Sequence, residues 1–397
     1  MIYKSISFKL AFLGIISLII PYLAVLFRGL IGFIIIILLA IYFSFIEKSF
    51  SNISNKILYG IKNNKKICVL YLWYFIGVIA NSFIDGRGFN DWRLFLSDFV
   101  FIIGLFFTFA FLGNIETFRY FKIVMIISIG IQSIFTSQQL LTNPDIARKM
   151  FLELDGMWMY GNQNYYSLYT VLLPVLISVS FQEKGPLRFI LFLANGLTLF
   201  SVLISSFGTP FGLLIIAVVT TMVFSLFFLK NKKKFIYGYL ILFFIFFFYQ
   251  NTKENKFFIS PYSRIENFIN DPASGGYSYS EISVSRWYKN KISLSSFLND
   301  PFFGSGGNIR YSTSVGGHSS LFDLLGAYGI LGGGGAFLMI VLSILFSSLK
   351  KLYIERSWEA LAILICVIMF ISAGIINPYW EGNQPIFVII FSRYIKL

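Results

Sequence analysis

Charge is scarce in this chain. Only 13% of its 397 residues are Asp, Glu, Lys or Arg, where soluble domains carry roughly 25%. Folded in water, such a chain would expose too much hydrocarbon to stay monomeric, which excludes a soluble globular protein. Cysteine is nearly absent. Cys68 and Cys366 both lie inside apolar runs, so there is neither a disulfide framework nor a zinc spacing, and the two thiols read as small hydrophobes. A basic stripe with interleaved aromatics is also missing. The net charge of +14 therefore points to no nucleic-acid partner, because most Lys and Arg sit in short loops between apolar runs. No fixed-period repeat and no low-complexity linker divides the chain, and residues 1–397 read as a single membrane domain.

What is present is hydrocarbon: 57% hydrophobic residues, with 48 Phe and 23 Tyr and a mean hydropathy of +0.75. A helix crossing the ~30 Å core of a bilayer needs about 20 apolar residues. That ruler predicts about twelve transmembrane helices, near 8–27, 29–46, 67–84, 94–113, 123–141, 164–181, 189–205, 209–229, 235–250, 321–347, 358–376 and 384–394. The fold class is an all-α polytopic membrane protein. The first run follows Lys4 and Lys9 without a small-residue cleavage site and reads as a retained helix. With the N-terminus inside and the spans alternating, twenty Lys and Arg fall on the cytoplasmic side and five in the short loops opposite. By the positive-inside rule both termini are cytoplasmic. Residues 251–320, between helices 9 and 10, then form one large extracytoplasmic loop, whose length exempts its seven basic residues from that rule.

Seventy residues is too long for a mere connection. The loop is polar, carries a helix-like stretch at 285–298, and has aromatics (Phe257, Phe258, Tyr262, Trp287, Tyr288, Phe302, Phe303) suited to an ordered lid on the bilayer surface. Its end is the most informative stretch. Asn299-Asp300-Pro301 followed by Gly304, Gly306 and Gly307 predicts a tight turn. His318, the only histidine, sits at the mouth of the tenth span, where Ser320 and Asp323 fit a capping box. Asp323 reads as a helix cap rather than a base. Gly332–Gly335 reads as a close helix approach, and Asn195 and Gln132, polar groups inside apolar spans, read as interhelical hydrogen bonds.

These residues resemble the O-antigen polymerase and O-antigen ligase superfamily of bacterial envelope glycosyltransferases. Its members carry an arginine on a helix of the large periplasmic loop, a Gly-x-Gly turn, and a His-led motif with spaced Leu and Gly entering a membrane helix. Here these positions are Arg286, Gly304-Ser305-Gly306, His318, Leu325, Gly329 and Gly332. Gly161-Asn162-Gln163-Asn164 also looks like a family element. The chain departs from the pattern at Ser319 (usually Asn), at Ala327 (commonly acidic), and at Phe207, where the ligases especially carry an arginine.

The resemblance implies a metal-independent enzyme, without cofactor, in the bacterial inner membrane with its site facing the periplasm or exterior. It would polymerise lipid-linked repeat units of O-antigen or capsule type, moving the growing glycan from undecaprenyl diphosphate to the non-reducing end of a new unit. His318 would accept the proton of the attacking hydroxyl, its ordinary pKa near ~6.5 suiting that role. Arg286 would bind the diphosphate in bidentate fashion, with Arg264, Arg310, Tyr288 and Gly306 contacting diphosphate or sugar. Expected partners are the undecaprenyl-diphosphate-linked oligosaccharide, membrane lipid and a polysaccharide chain-length regulator. Three alternatives stay open: an O-antigen ligase moving finished glycan onto lipid A core, a flippase or transporter for the same lipid-linked sugars, and a structural scaffold for an envelope assembly.

Overall fold

The computed structural model describes residues 65–84, 115–142, 163–205, 208–229, 286–305, 315–316 and 319–376. All regular structure among them is helical. In chain order the helices are α1 (Lys65–Ile84), α2 (Ile115–Thr142), α3 (Gln163–Gln182), α4 (Gly185–Ile204), α5 (Gly208–Phe228), α6 (Arg286–Asn299), α7 (Ser320–Tyr328), α8 (Gly335–Glu355) and α9 (Trp358–Ile376). A wide turn of π geometry, Ile330–Gly334, joins α7 to α8. Among the described residues four segments are long and apolar enough to cross a membrane: Gly185–Ile204, Thr209–Phe228, Ile330–Glu355 and Trp358–Ile376. Large side chains stand exposed on them, among them Phe189, Phe227 and Phe346, as expected where the surrounding solvent is lipid.

α9 forms the centre. It packs against α3, α5 and α8 and touches α7, and nearly every residue from Ala360 to Phe370 is buried. Its start has a local cause: Ser357 caps it, with Oγ accepting the N–H of Ala360 at 3.2 Å. The preceding helix stops at Arg356, which adopts a left-handed conformation (φ 47°). α3 and α4 are joined by Glu183 and Lys184 alone, so they run antiparallel side by side. Pro186 opens α4 in its first turn, where a missing N–H costs nothing. The Arg188 guanidinium lies over Phe181 and Phe192, 5.5 and 5.7 Å from the ring centres, which pins the turn of this hairpin.

Most buried hydroxyls in these helices are satisfied locally, although Ser137 Oγ has no partner among the described residues. Ser133, Thr136, Thr170, Ser180, Thr198 and Ser348 each donate to the backbone carbonyl four residues earlier, so a polar side chain enters an apolar interior without an orphaned donor. Asn195 makes the expected interhelical bonds, its Nδ2 donating to Ser180 Oγ at 2.8 Å and Leu176 O at 3.3 Å. Gln132 is buried, but its Nε2 has no partner among the described residues.

One span differs from expectation. Instead of a continuous helix over 321–347, the chain forms the nine-residue α7, breaks at Gly329 (φ 59°), and resumes as α8 to Glu355. The cause is tertiary. Pro301 O accepts the N–H of Ile330 at 2.9 Å, and Phe302 O accepts those of Leu331 and Gly332 at 2.8 and 3.3 Å. Carbonyls from a distant turn thus satisfy the N–H groups that a break would strand. The predicted spans 8–27, 29–46, 94–113, 235–250 and 384–394 lie outside the described residues.

Candidate functional site

The site is built where α6 lies against α7. The sequence stretch 285–298 does form a helix, α6, and it begins at Arg286. It carries Arg286, Lys289 and Lys291 and no acid before Asp300, so its first half is cationic. Tyr288 stands 46% exposed on it. α6 ends at the expected turn: Asp300 Oδ1 accepts the N–H of Phe303 at 3.1 Å, and Asp300 O accepts that of Gly304 at 2.9 Å. Gly304 has φ 71°, and a Cβ there would meet the Ala327 carbonyl of α7 at 2.7 Å. Only glycine suits both demands.

α7 presents its small residues to α6 and this turn. Asp323, Gly326 and Ala327 share one face by their spacing of three and four, and all are buried. A Cβ on Gly326 would lie 2.6 Å from Ser293 O of α6, so the two helices meet backbone to backbone. Ser305 N–H closes the turn onto Gly326 O at 2.8 Å.

At the head of α7 stands Asp323, 0% exposed. Its Oδ2 accepts the backbone N–H of Ser319 at 2.9 Å. Its Oδ1 accepts the hydroxyl of Ser293, itself fully buried on α6, at 2.5 Å. The same Ser293 Oγ accepts the N–H of Gly316 at 2.8 Å, so the hydroxyl is used both as donor and as acceptor. The cap of α7 is Ser319, whose Oγ accepts the N–H of Phe322 at 3.4 Å and donates to Gly374 O of α9 at 3.3 Å. The capping box is therefore set on Ser319 and Asp323, one residue earlier than the expected Ser320. A carboxylate at a helix N-terminus is favoured by the helix dipole, and burial without such donors would be costly. With no exposure, Asp323 reaches no solute in this arrangement. Its reading as a cap rather than a base agrees with that geometry.

α1 completes the support. Asn81 Nδ2 donates to Phe303 O at 2.8 Å and Tyr328 O at 3.4 Å, and Trp73 Nε1 donates to Leu331 O at 3.1 Å. Gly77 lies against the backbone of Gly332 and Gly333, the close approach expected of that glycine run. Of the candidate site residues, Arg286 and Tyr288 are brought onto α6, while His318, Arg264, Arg310 and Gly306 lie outside the described residues. Sequence reasoning missed Ser293 and Asn81. Asn81 carries the signal used for Asn195, an amide inside an apolar run. Ser293 carries none, since nothing in its neighbourhood sets it apart from Ser295 or Ser296.

Among the described residues no group of three or more His, Cys, Asp and Glu side chains stands close enough to hold a metal ion. No protein-family model matches the chain, and no curated protein matches it.

Proposed function

We propose that this chain is a membrane glycosyltransferase that polymerises lipid-linked oligosaccharide repeat units. The proposal includes about twelve spans with both termini cytoplasmic, and residues 251–320 facing the periplasm or exterior of a bacterial inner membrane. One observation carries the reading: the helix that begins at Arg286 is joined, through Ser293 and Asp323, to the head of the helix that follows His318. The two motif segments, distant in sequence, belong to one packed unit.

In this reading the acceptor hydroxyl of a new repeat unit attacks the anomeric carbon of the donor glycan. The bond from that carbon to the diphosphate oxygen breaks, and undecaprenyl diphosphate leaves with the electron pair. His318 takes the proton of the attacking hydroxyl. Arg286, with Arg264 and Arg310, neutralises charge developing on the diphosphate, and Tyr288 and Gly306 contact diphosphate or sugar. A growing polymer would meet a chain-length regulator on the same membrane face. The ligase reading shares this chemistry and differs in acceptor; Phe207, standing where ligases carry arginine, favours the polymerase.

Complementation tests it. A strain lacking the gene receives wild type, His318→Ala or Arg286→Ala at matched membrane levels, and surface glycan is resolved on a gel. Wild type is expected to restore a ladder of long chains, and each variant to leave single repeats, a loss of at least ~100-fold in polymer. A null strain that accumulates full-length polymer on its lipid carrier identifies a ligase. A normal ladder from His318→Ala rejects His318 as the base and returns the transporter and scaffold readings.

A further inference from the structure

We propose that Ser293 and Asp323 are positioning residues for the transfer step, holding the helix of Arg286 and the peptide next to His318 in one register. The inference rests on the transferase reading above. An ordinary helix cap needs one carboxylate oxygen. Asp323 uses Oδ2 in that way, on Ser319 N–H at 2.9 Å, and directs Oδ1 to a serine thirty residues upstream on another helix. Ser293 Oγ then accepts Gly316 N–H at 2.8 Å. The described residues on either side of 317–318 are thus tied to one buried pair, and that pair also holds the middle of α6. Ser319, whose N–H Asp323 accepts, is the residue that follows His318 in the sequence.

The pair is placed to act on the reaction rather than on stability alone. Ground-state binding of a diphosphate is shared among several cations of the loop, so it tolerates a small displacement of any one. Catalysis requires the guanidinium and the imidazole to address the same substrate together, and a displacement of about 1 Å can cost ~100-fold in rate. Loosening the pair is therefore expected to lower kcat and leave KM nearly unchanged. The two helices touch there through Gly326, which lies against the Ser293 backbone, so the bridging hydroxyl and the close helix contact fall on the same turn of α6.

The test uses full-length protein in detergent and, as substrate, the lipid-linked repeat units extracted from the null strain. Wild type, Ser293→Ala, Asp323→Asn, the double variant, His318→Ala and Arg286→Ala are compared, with Ser295→Ala as a control on the exposed side of α6. Each is first checked for a single size-exclusion peak. Expected are a ~10- to ~100-fold fall in kcat for Ser293→Ala with KM within about twofold, a double variant no slower than Asp323→Asn alone, and no change for Ser295→Ala. Should Asp323→Asn fail to fold, Ser293→Ala decides by itself. A folded Ser293→Ala with wild-type kcat, or with a change confined to KM, overturns the positioning role while inactive His318→Ala and Arg286→Ala leave the transferase reading standing. Wild-type rates from those two variants overturn the transferase reading and this inference with it.

Discussion

In the packing of α2, α3 and α4, most buried hydroxyls bond back to their own helix, and hydroxyl bonds that cross between helices join side chain to side chain, as from Ser201 to Ser133. Where α6 meets α7, the helices meet through backbone, and the buried polar groups bond across to other segments. The bundle satisfies most of its hydroxyls within one turn of their own helix, so a single substitution there disturbs few backbone contacts. In the α6–α7 unit one carboxylate and one hydroxyl serve three segments, so a single substitution disturbs all of them. The first arrangement suits helices that need only stay together in lipid. The second suits elements whose relative position matters, because backbone contact leaves little freedom for a helix to slide.

A glycine-to-alanine series and one amide truncation sharpen the contrast. The largest effect is expected at Gly326→Ala. Alanine gains up to about 1 kcal/mol of helix propensity over glycine, but its Cβ would lie 2.6 Å from Ser293 O, a backbone atom that cannot rotate away. Overpacking of this kind costs ~1–3 kcal/mol, so the clash wins. Thermal unfolding of the purified protein should move down, and limited proteolysis within 286–305 should quicken. An unchanged melting curve with unchanged cleavage would mean that α6 and α7 are not in backbone contact.

A smaller loss is expected from Asn195→Ala in the bundle. The change removes the bonds to Ser180 and Leu176 O, but Ser180 keeps its own bond to Leu176. The substitution also deletes an amide oxygen with no partner among the described residues. Interhelical hydrogen bonds in membranes average ~0.6 kcal/mol, and the melting shift should be correspondingly slight. A loss as large as that of Gly326→Ala would break the contrast between the two regions. The smallest effect belongs to Gly196→Ala, where an added Cβ meets nothing within 4 Å. Stability there should hold or rise by up to about 1 kcal/mol, and a measured loss would place an unrecognised neighbour against α4.

Much of this was legible in the sequence for reasons that can be named. The runs 164–181, 189–205, 209–229 and 358–376 correspond to α3, α4, α5 and α9 within a few residues, because hydropathy over twenty residues reflects each side chain's own affinity for lipid. The helix at 285–298 and the turn at Asp300 and Gly304 were legible because Asn, Asp, Pro and Gly restrict or free the backbone locally. The break at Gly329 was not. Leu-Gly-Ala-Tyr-Gly-Ile-Leu reads as uninterrupted apolar helix, and what interrupts it is the docking of Pro301 and Phe302 carbonyls. The cap on Ser319 was displaced by one residue for a similar reason, since Gly374 O of α9 takes the Ser319 hydroxyl.

The candidate site divides along the same line. Arg286, His318 and Asp323 attract notice from residue type and spacing alone, because charge and imidazole are rare in so apolar a chain. Ser293 does not, since a serine among serines acquires meaning only from what it touches. The sequence by itself determined the apolar, helical character of the chain and the bounds of α3, α4, α5 and α9 within a few residues. Tertiary structure alone decided which buried acid and which serine would meet, and that the apolar run 321–347 would break at Gly329. Propensity and hydropathy act over a few residues, whereas the Ser293–Asp323 bond closes a thirty-residue separation that no local preference can specify.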